Sequence, residues 1–98
     1  MFLSPELRED ARRYWSHSFQ FSVIIPKFKM VEKIPGIAVS VDVSRGGIGL
    51  VTETPVEAGQ VIIFENELKM HEISAKIAIV KWIDRSTDNQ YRVGLQFV

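Results

Sequence analysis

The 98-residue chain contains no cysteine. It therefore has neither a disulfide framework nor a thiolate metal site. Its two histidines, His17 and His71, stand far apart with no ligand spacing between them. No apolar run approaches the roughly 20 residues that cross a bilayer as a helix. No apolar stretch follows a basic start, so no signal peptide is visible. Charge of one sign is not in excess either: 12 basic residues balance 12 acidic ones. A general nucleic-acid binder would carry a basic face and a high pI. No nucleophile–base pair, no metal-ligand cluster and no phosphate loop ending in Lys-Ser/Thr occurs, and His71-Glu72 lacks the second histidine of a zinc-protease motif. The expectation is a soluble cytoplasmic protein, not an enzyme, with no cofactor and no metal. Because the chain starts with Met and ends on a strand-like Phe97-Val98, it is expected to be a whole protein.

What is present is apolar patterning. Hydrophobic residues make up 46% of the chain, enough for one core and against disorder. Phe19, Phe21, Val23 and Ile25 alternate with other residues and read as a half-buried strand that Pro26 ends or edges. Lys27 to Lys33 continues with looser alternation, as a second arm or an extended loop, and Pro35-Gly36 is a turn signal. Strands follow at 37–41, 48–52, 60–68, 72–82 and 91–98. Glu65-Asn66-Glu67 reads as a turn out of its strand. Asp84 to Asn89 reads as a polar hairpin loop that imitates a calcium loop only in its first positions. The length of 72–82 suggests bending across a barrel corner. Ser4-Pro5-Glu6 reads as a helix start, with an apolar face at Leu7, Ala11, Tyr14 and Trp15 and an end near Ser16. Trp15 and Trp82 are expected to pack the two barrel ends, and Phe19 and Phe21 to be core. The fold class is mainly β: about six short strands with regular turn signals favour a small antiparallel barrel or sandwich, with a short N-terminal helix. Residues 1–17 form the arginine-bearing segment and 18–98 the barrel, with no repeat, low-complexity stretch or linker.

Two local features carry chemistry. The stretch Asp42-Val43-Ser44-Arg45-Gly46-Gly47 joins the strands at 37–41 and 48–52. Asp42 and Ser44 are short acceptors suited to turns, and Gly46-Gly47 offers left-handed backbone and no Cβ to block a ligand. A well-made β-turn is the commoner explanation of such residues; the functional one is a small anion- or base-binding turn. From Ala11 to Val31 there is no acid, but there are Arg12, Arg13, Lys27 and Lys29, so one segment is locally positive inside a neutral chain.

Arginines ahead of the first strand, Asp42-x-Ser44-x-x-Gly47 between the second and third, and a closing Tyr91-Arg92-Val93-Gly94-Leu95-Gln96-Phe97 together resemble the PilZ family, the bacterial domains that bind cyclic di-GMP. The resemblance spans about Arg8 to Val98. It implies a six-stranded antiparallel β-barrel of PilZ type that binds cyclic di-GMP between N-terminal arginines and the Asp42-Ser44-Gly47 turn and signals to a protein effector in a motility, adhesion, polysaccharide or secretion system. It implies no DNA or RNA partner and no membrane insertion. The family's Arg-x-x-x-Arg motif fits Arg8 to Arg12 literally. A register just before the first strand starts at Arg13 and ends on His17, and a third runs from Arg12 to Ser16. Arg12 and Arg13 are the favoured ligand contacts, with Arg8 in the literal register. Ligand is expected to pin the N-terminal segment to the barrel. The alternatives are an interaction module that has lost the nucleotide, for which His17 speaks, and a small oligonucleotide-binding barrel stacking bases on Trp15, Phe19 and Phe21.

Overall fold

A computed structural model describes residues 13–70, 72–87 and 89–98. Among them every regular element is a strand: β1 (Arg13–Tyr14), β2 (Ser18–Lys27), β3 (Met30–Val43), β4 (Gly47–Thr52), β5 (Val61–Met70), β6 (Ile73–Thr87) and β7 (Gln90–Phe97). Six of them close a ring. β2 pairs with β3, β3 with β4, β4 with β7, β7 with β6, β6 with β5, and β5 with β2, all antiparallel. Closure removes the free edges that a small sheet would otherwise expose. β1 adds to β3 outside the ring. Of the barrel and sandwich that the alternation left open, the fold is the six-stranded antiparallel barrel that the resemblance implied.

The period-two pattern decides which face is the core. Phe21 and Val23 point inward from β2, Ile48 and Leu50 from β4, Ile62 and Phe64 from β5, and Val93 and Leu95 from β7. Phe64 is fully buried, with Phe19 and Phe97 meeting its ring edge-on at centroid separations of 5.6 and 6.3 Å. Burying each such side chain contributes about 1.5–3 kcal/mol. Phe19 and Trp15 are partly buried against this core and Phe21 is within it. Phe21, at 2% exposure, is therefore not open to stack on a base.

Four sequence expectations are corrected. The N-terminal helix does not reach Ser16, because Arg13–Tyr14 is a strand paired with β3; its remainder lies outside the described residues. Pro35-Gly36 is not a turn but lies inside β3, where Gly36 pairs with Phe21 and leaves room for its ring. Glu65-Asn66-Glu67 is not a turn; β5 runs through it to Met70, with an irregularity in its pairing to β6 between Ile63 and Leu68. Asp84 to Thr87 belongs to β6 rather than to a loop. In each case cross-strand pairing outweighed local turn chemistry.

β2 and β3 extend past the barrel. β5 pairs with β2 only from Phe21 to Ile24, and β4 pairs with β3 only from Ala38 onward. Between these limits Ile25–Lys27 and Met30–Ile34 form a two-stranded arm, turned at Phe28-Lys29. Lys27 to Lys33 is thus an arm and not a loop.

Candidate functional site

One line of residues runs across four strands on the outside of the barrel. Asp42 pairs with Gly49, Gly49 with Gly94, and Gly94 with Trp82. A carboxylate stands at one end of the row and an indole at the other, with two glycines between. Three strand spacings put the ends roughly 14 Å apart along the sheet.

Two irregularities in strand pairing create this arrangement. Along β3, Ala38 and Ser40 are buried, so simple alternation would send Asp42 inward. The pairing to β4 shifts between Ser40 and Asp42, with Val41 as the extra residue. Alternation then restarts one residue later: Asp42 is partly exposed and Val43 is buried. On β6, Ala78 and Val80 are buried, and Trp82 would follow them into the core. The pairing to β7 shifts between Val80 and Trp82, at Lys81. Trp82 becomes 49% exposed and Ile83 packs toward the core instead. Extra residues of this kind re-aim side chains beside functional sites. The expectation that Trp82 packs a barrel end is therefore corrected. Its indole lies over Gly94, and a Cβ at that position would run into the ring.

The turn that follows Asp42 is tied into the barrel. The Ser44 amide donates to the Gly47 carbonyl (2.8 Å), and the Phe97 amide donates to the Gly46 carbonyl (2.9 Å). Ser44 is only 3% exposed. Neither Gly46 nor Gly47 takes up left-handed backbone, contrary to the sequence expectation; only Gly59 among the described glycines has positive φ. Gly47 is needed for a different reason. A Cβ there would strike the backbone carbonyl oxygen of Leu95, so its smallness serves the contact between β4 and β7.

The N-terminal segment reaches this turn along β3. Arg13 is in register with Val43 and Tyr14 with Asp42, which brings the Arg13 backbone beside the turn. Further on, the Trp15 amide donates to the Val41 carbonyl (3.0 Å) and the Ser40 amide to the His17 carbonyl (2.8 Å). Ser40, 1% exposed, fastens the segment. Its hydroxyl accepts from the His17 amide (2.8 Å) and donates to the Trp15 carbonyl (2.7 Å). The attachment of residues 13–17 is thus made by the chain's own hydrogen bonds. His17 is exposed, its ring 4.4 Å from that of Trp15. Arg8 and Arg12 lie outside the described residues.

Around the row is a cavity of about 530 Å³, lined by Asp42, Ser44, Gly47, Lys81, Trp82 and Arg92, among others. That size suits a nucleotide-sized ligand. Lys81 and Arg92 supply two positive charges against the one carboxylate, and Arg45 stands exposed in the turn between Ser44 and Gly46. The site can thus offer cations to phosphate, a carboxylate to N–H donors and an indole face to a base. Asp42, Ser44 and Gly47 come together as their spacing suggests. Lys81, Trp82 and Ser40 carry no motif, and Arg92 entered the sequence reading only as part of the closing strand, with no ligand role. Trp82 was detectable only as an aromatic in a strand too long to run straight. A second hollow, about 760 Å³, lies at the base of the arm beside Phe21, Gly36 and Ile37; its charged lining residues, Glu53 and Glu65, are both acidic and unsuited to an anion.

A closed six-stranded barrel with an Asp-x-Ser-x-x-Gly turn at an outer cavity defines a class: a small ligand-binding barrel. The particular family follows from comparison with known proteins. The family model for the PilZ domain matches residues 6–98, and the chain belongs to the PilZ family, a family of cyclic di-GMP-binding domains. No curated protein sequence matches the chain significantly.

Proposed function

We propose that this chain is a non-catalytic cytoplasmic receptor for cyclic di-GMP, which binds on the outer face between the N-terminal arginines and the Asp42-x-Ser44-x-x-Gly47 turn. The observation that carries the reading is the outward row Asp42, Gly49, Gly94, Trp82, with its flanking cations. Family membership supports the ligand class. Guanine presents O6 and N7 as adjacent acceptors, which an arginine fork meets in a bidentate pair. Among the N-terminal arginines, Arg13 has its backbone beside the turn through its register with Val43, and Arg8 and Arg12 precede it. The opposite guanine edge presents N–H donors, which the Asp42 carboxylate accepts. Trp82 offers a stacking face to a purine, worth about 1–3 kcal/mol per base. Lys81 and Arg92 balance phosphate charge, and Ser44 at the cavity floor supplies a hydroxyl. Binding at this junction of β1, β3 and β7 alters the surface that the N-terminal segment and barrel present together, and a protein effector reads the change.

A second reading is an interaction module that does not bind nucleotide. The exposed His17, its ring tilted against that of Trp15, and the near-complete burial of Ser44 favour it. Calorimetric titration with cyclic di-GMP separates the two. The receptor reading expects saturable micromolar or tighter binding, absent with GTP and lost in Asp42→Ala/Ser44→Ala. Absence of heat at high ligand excess would support the interaction module. Arg8→Ala, Arg12→Ala and Arg13→Ala, titrated singly, identify which arginines contribute.

A further inference from the structure

We propose that the arm formed by the outer parts of β2 and β3 is a docking tip for an anionic lipid surface. The proposal is independent of nucleotide binding. The arm leaves the barrel where β5 and β4 stop pairing, so no other described strand covers it. Apart from the C-terminal Val98, its Phe28 and Met30 are the most exposed large apolar side chains on the described protein, at 87% and 66%, and Val31 is 56% exposed. A soluble barrel gains nothing by exposing Phe28 at its furthest point.

The charges fit the same occupant. Lys27, Lys29 and Lys33 stand on the arm against one acid, Glu32. Glu32 lies 3.2 Å from Lys27, with both side chains about half exposed, a pairing that water and salt screen. Two further acids, Glu53 and Glu65, line the hollow at the base of the arm with Pro35, Gly36 and Ile37, and not its tip. The basic residues are all lysine, which protein interfaces disfavour. Lysine stems instead run along apolar surface and hold their ammonium groups at headgroup level. The Lys29 ammonium is 5.2 Å from the centre of the Phe28 ring, so cation and wedge sit together.

The turn geometry points the same way. Lys29 has φ 63°, the only non-glycine among the described residues with positive φ. Glycine or asparagine would satisfy that backbone with less strain. A lysine there retains a cation at the extreme tip at a conformational cost, which fits a side chain that is used.

Co-sedimentation of the whole chain with phosphatidylcholine vesicles, with and without phosphatidylglycerol, tests the proposal. The expected result is association with phosphatidylglycerol vesicles alone, weakened by salt and abolished in Phe28→Ser. Each Lys→Gln change at 27, 29 or 33 should lower the partition coefficient about fivefold. Because the tip is exposed, these variants should melt as the parent does, so loss of binding is not loss of fold. Failure to associate with phosphatidylglycerol vesicles overturns the proposal, as does association that Phe28→Ser and the lysine variants leave unchanged. Self-association that is lost in Phe28→Ser, without vesicle binding, would also overturn it, in favour of contact between copies.

Discussion

β3 carries the Asp42-x-Ser44-x-x-Gly47 turn at its Val43 end and the arm at its Met30 end. Its 14 residues set these regions roughly 45 Å apart. At the Val43 end nearly every group is committed. Ser40 and Ser44 are buried, the N-terminal segment is bonded along the strand, and Val43 is core. At the Met30 end β3 pairs only with β2, and its residues to Pro35 are exposed. The contrast matches the two kinds of recognition proposed for these ends. Reading a base edge needs donors and acceptors fixed to fractions of an ångström, so that end is tied into the barrel. Meeting a fluid charged surface needs only apolar area and charge, so the other end needs little support.

The comparison can be strained from both sides. The largest effect is expected at Gly47→Ala, where the new methyl meets the Leu95 backbone; stability should fall by about 3 kcal/mol in chemical denaturation. Next is Ser40→Ala, which strips partners from the His17 amide and the Trp15 carbonyl and should cost about 2 kcal/mol. Hydrogen exchange at His17 should rise with it. Asp42→Ala should weaken cyclic di-GMP binding by at least about tenfold, roughly 1.4 kcal/mol, in a calorimetric titration. The arm responds weakly and in the opposite sense. Lys29→Gly relieves the left-handed backbone and should raise stability by about 0.5 kcal/mol or less. Phe28→Ser should leave the melting profile unchanged within about 0.5 kcal/mol. Large losses at the arm, or tolerance at Gly47 and Ser40, would break the contrast.

The strands were legible because inward residues alternate along β2, β4, β5 and β7; their number and length fit a barrel or a sandwich alike, and only the family resemblance pointed to closure. The position of the Asp42-x-Ser44-x-x-Gly47 turn between two strands was legible for the same reason. The far side of the site was not. Alternation alone sends Trp82 into the core, and only the extra residue at Lys81, visible in the pairing with β7, brings it out. Ser40 reads as an ordinary strand serine, since its role depends on residues more than 20 positions earlier in the chain. Pro35-Gly36 has strong local turn chemistry, yet β2 opposite it continues as a strand and holds it extended. Gly47 was singled out for backbone freedom and is required for closeness.

The central claim is that Trp82 and Asp42 face one ligand across Gly49 and Gly94. The most direct test is tryptophan fluorescence during a cyclic di-GMP titration of Trp15→Phe, in which Trp82 is the sole remaining indole. Saturable quenching, with a midpoint that matches calorimetry and moves to higher ligand concentration when Asp42→Ala is added, is the expected result. Binding that registers in calorimetry but leaves Trp82 emission untouched would contradict the account, because the ligand would then occupy some other face of the barrel.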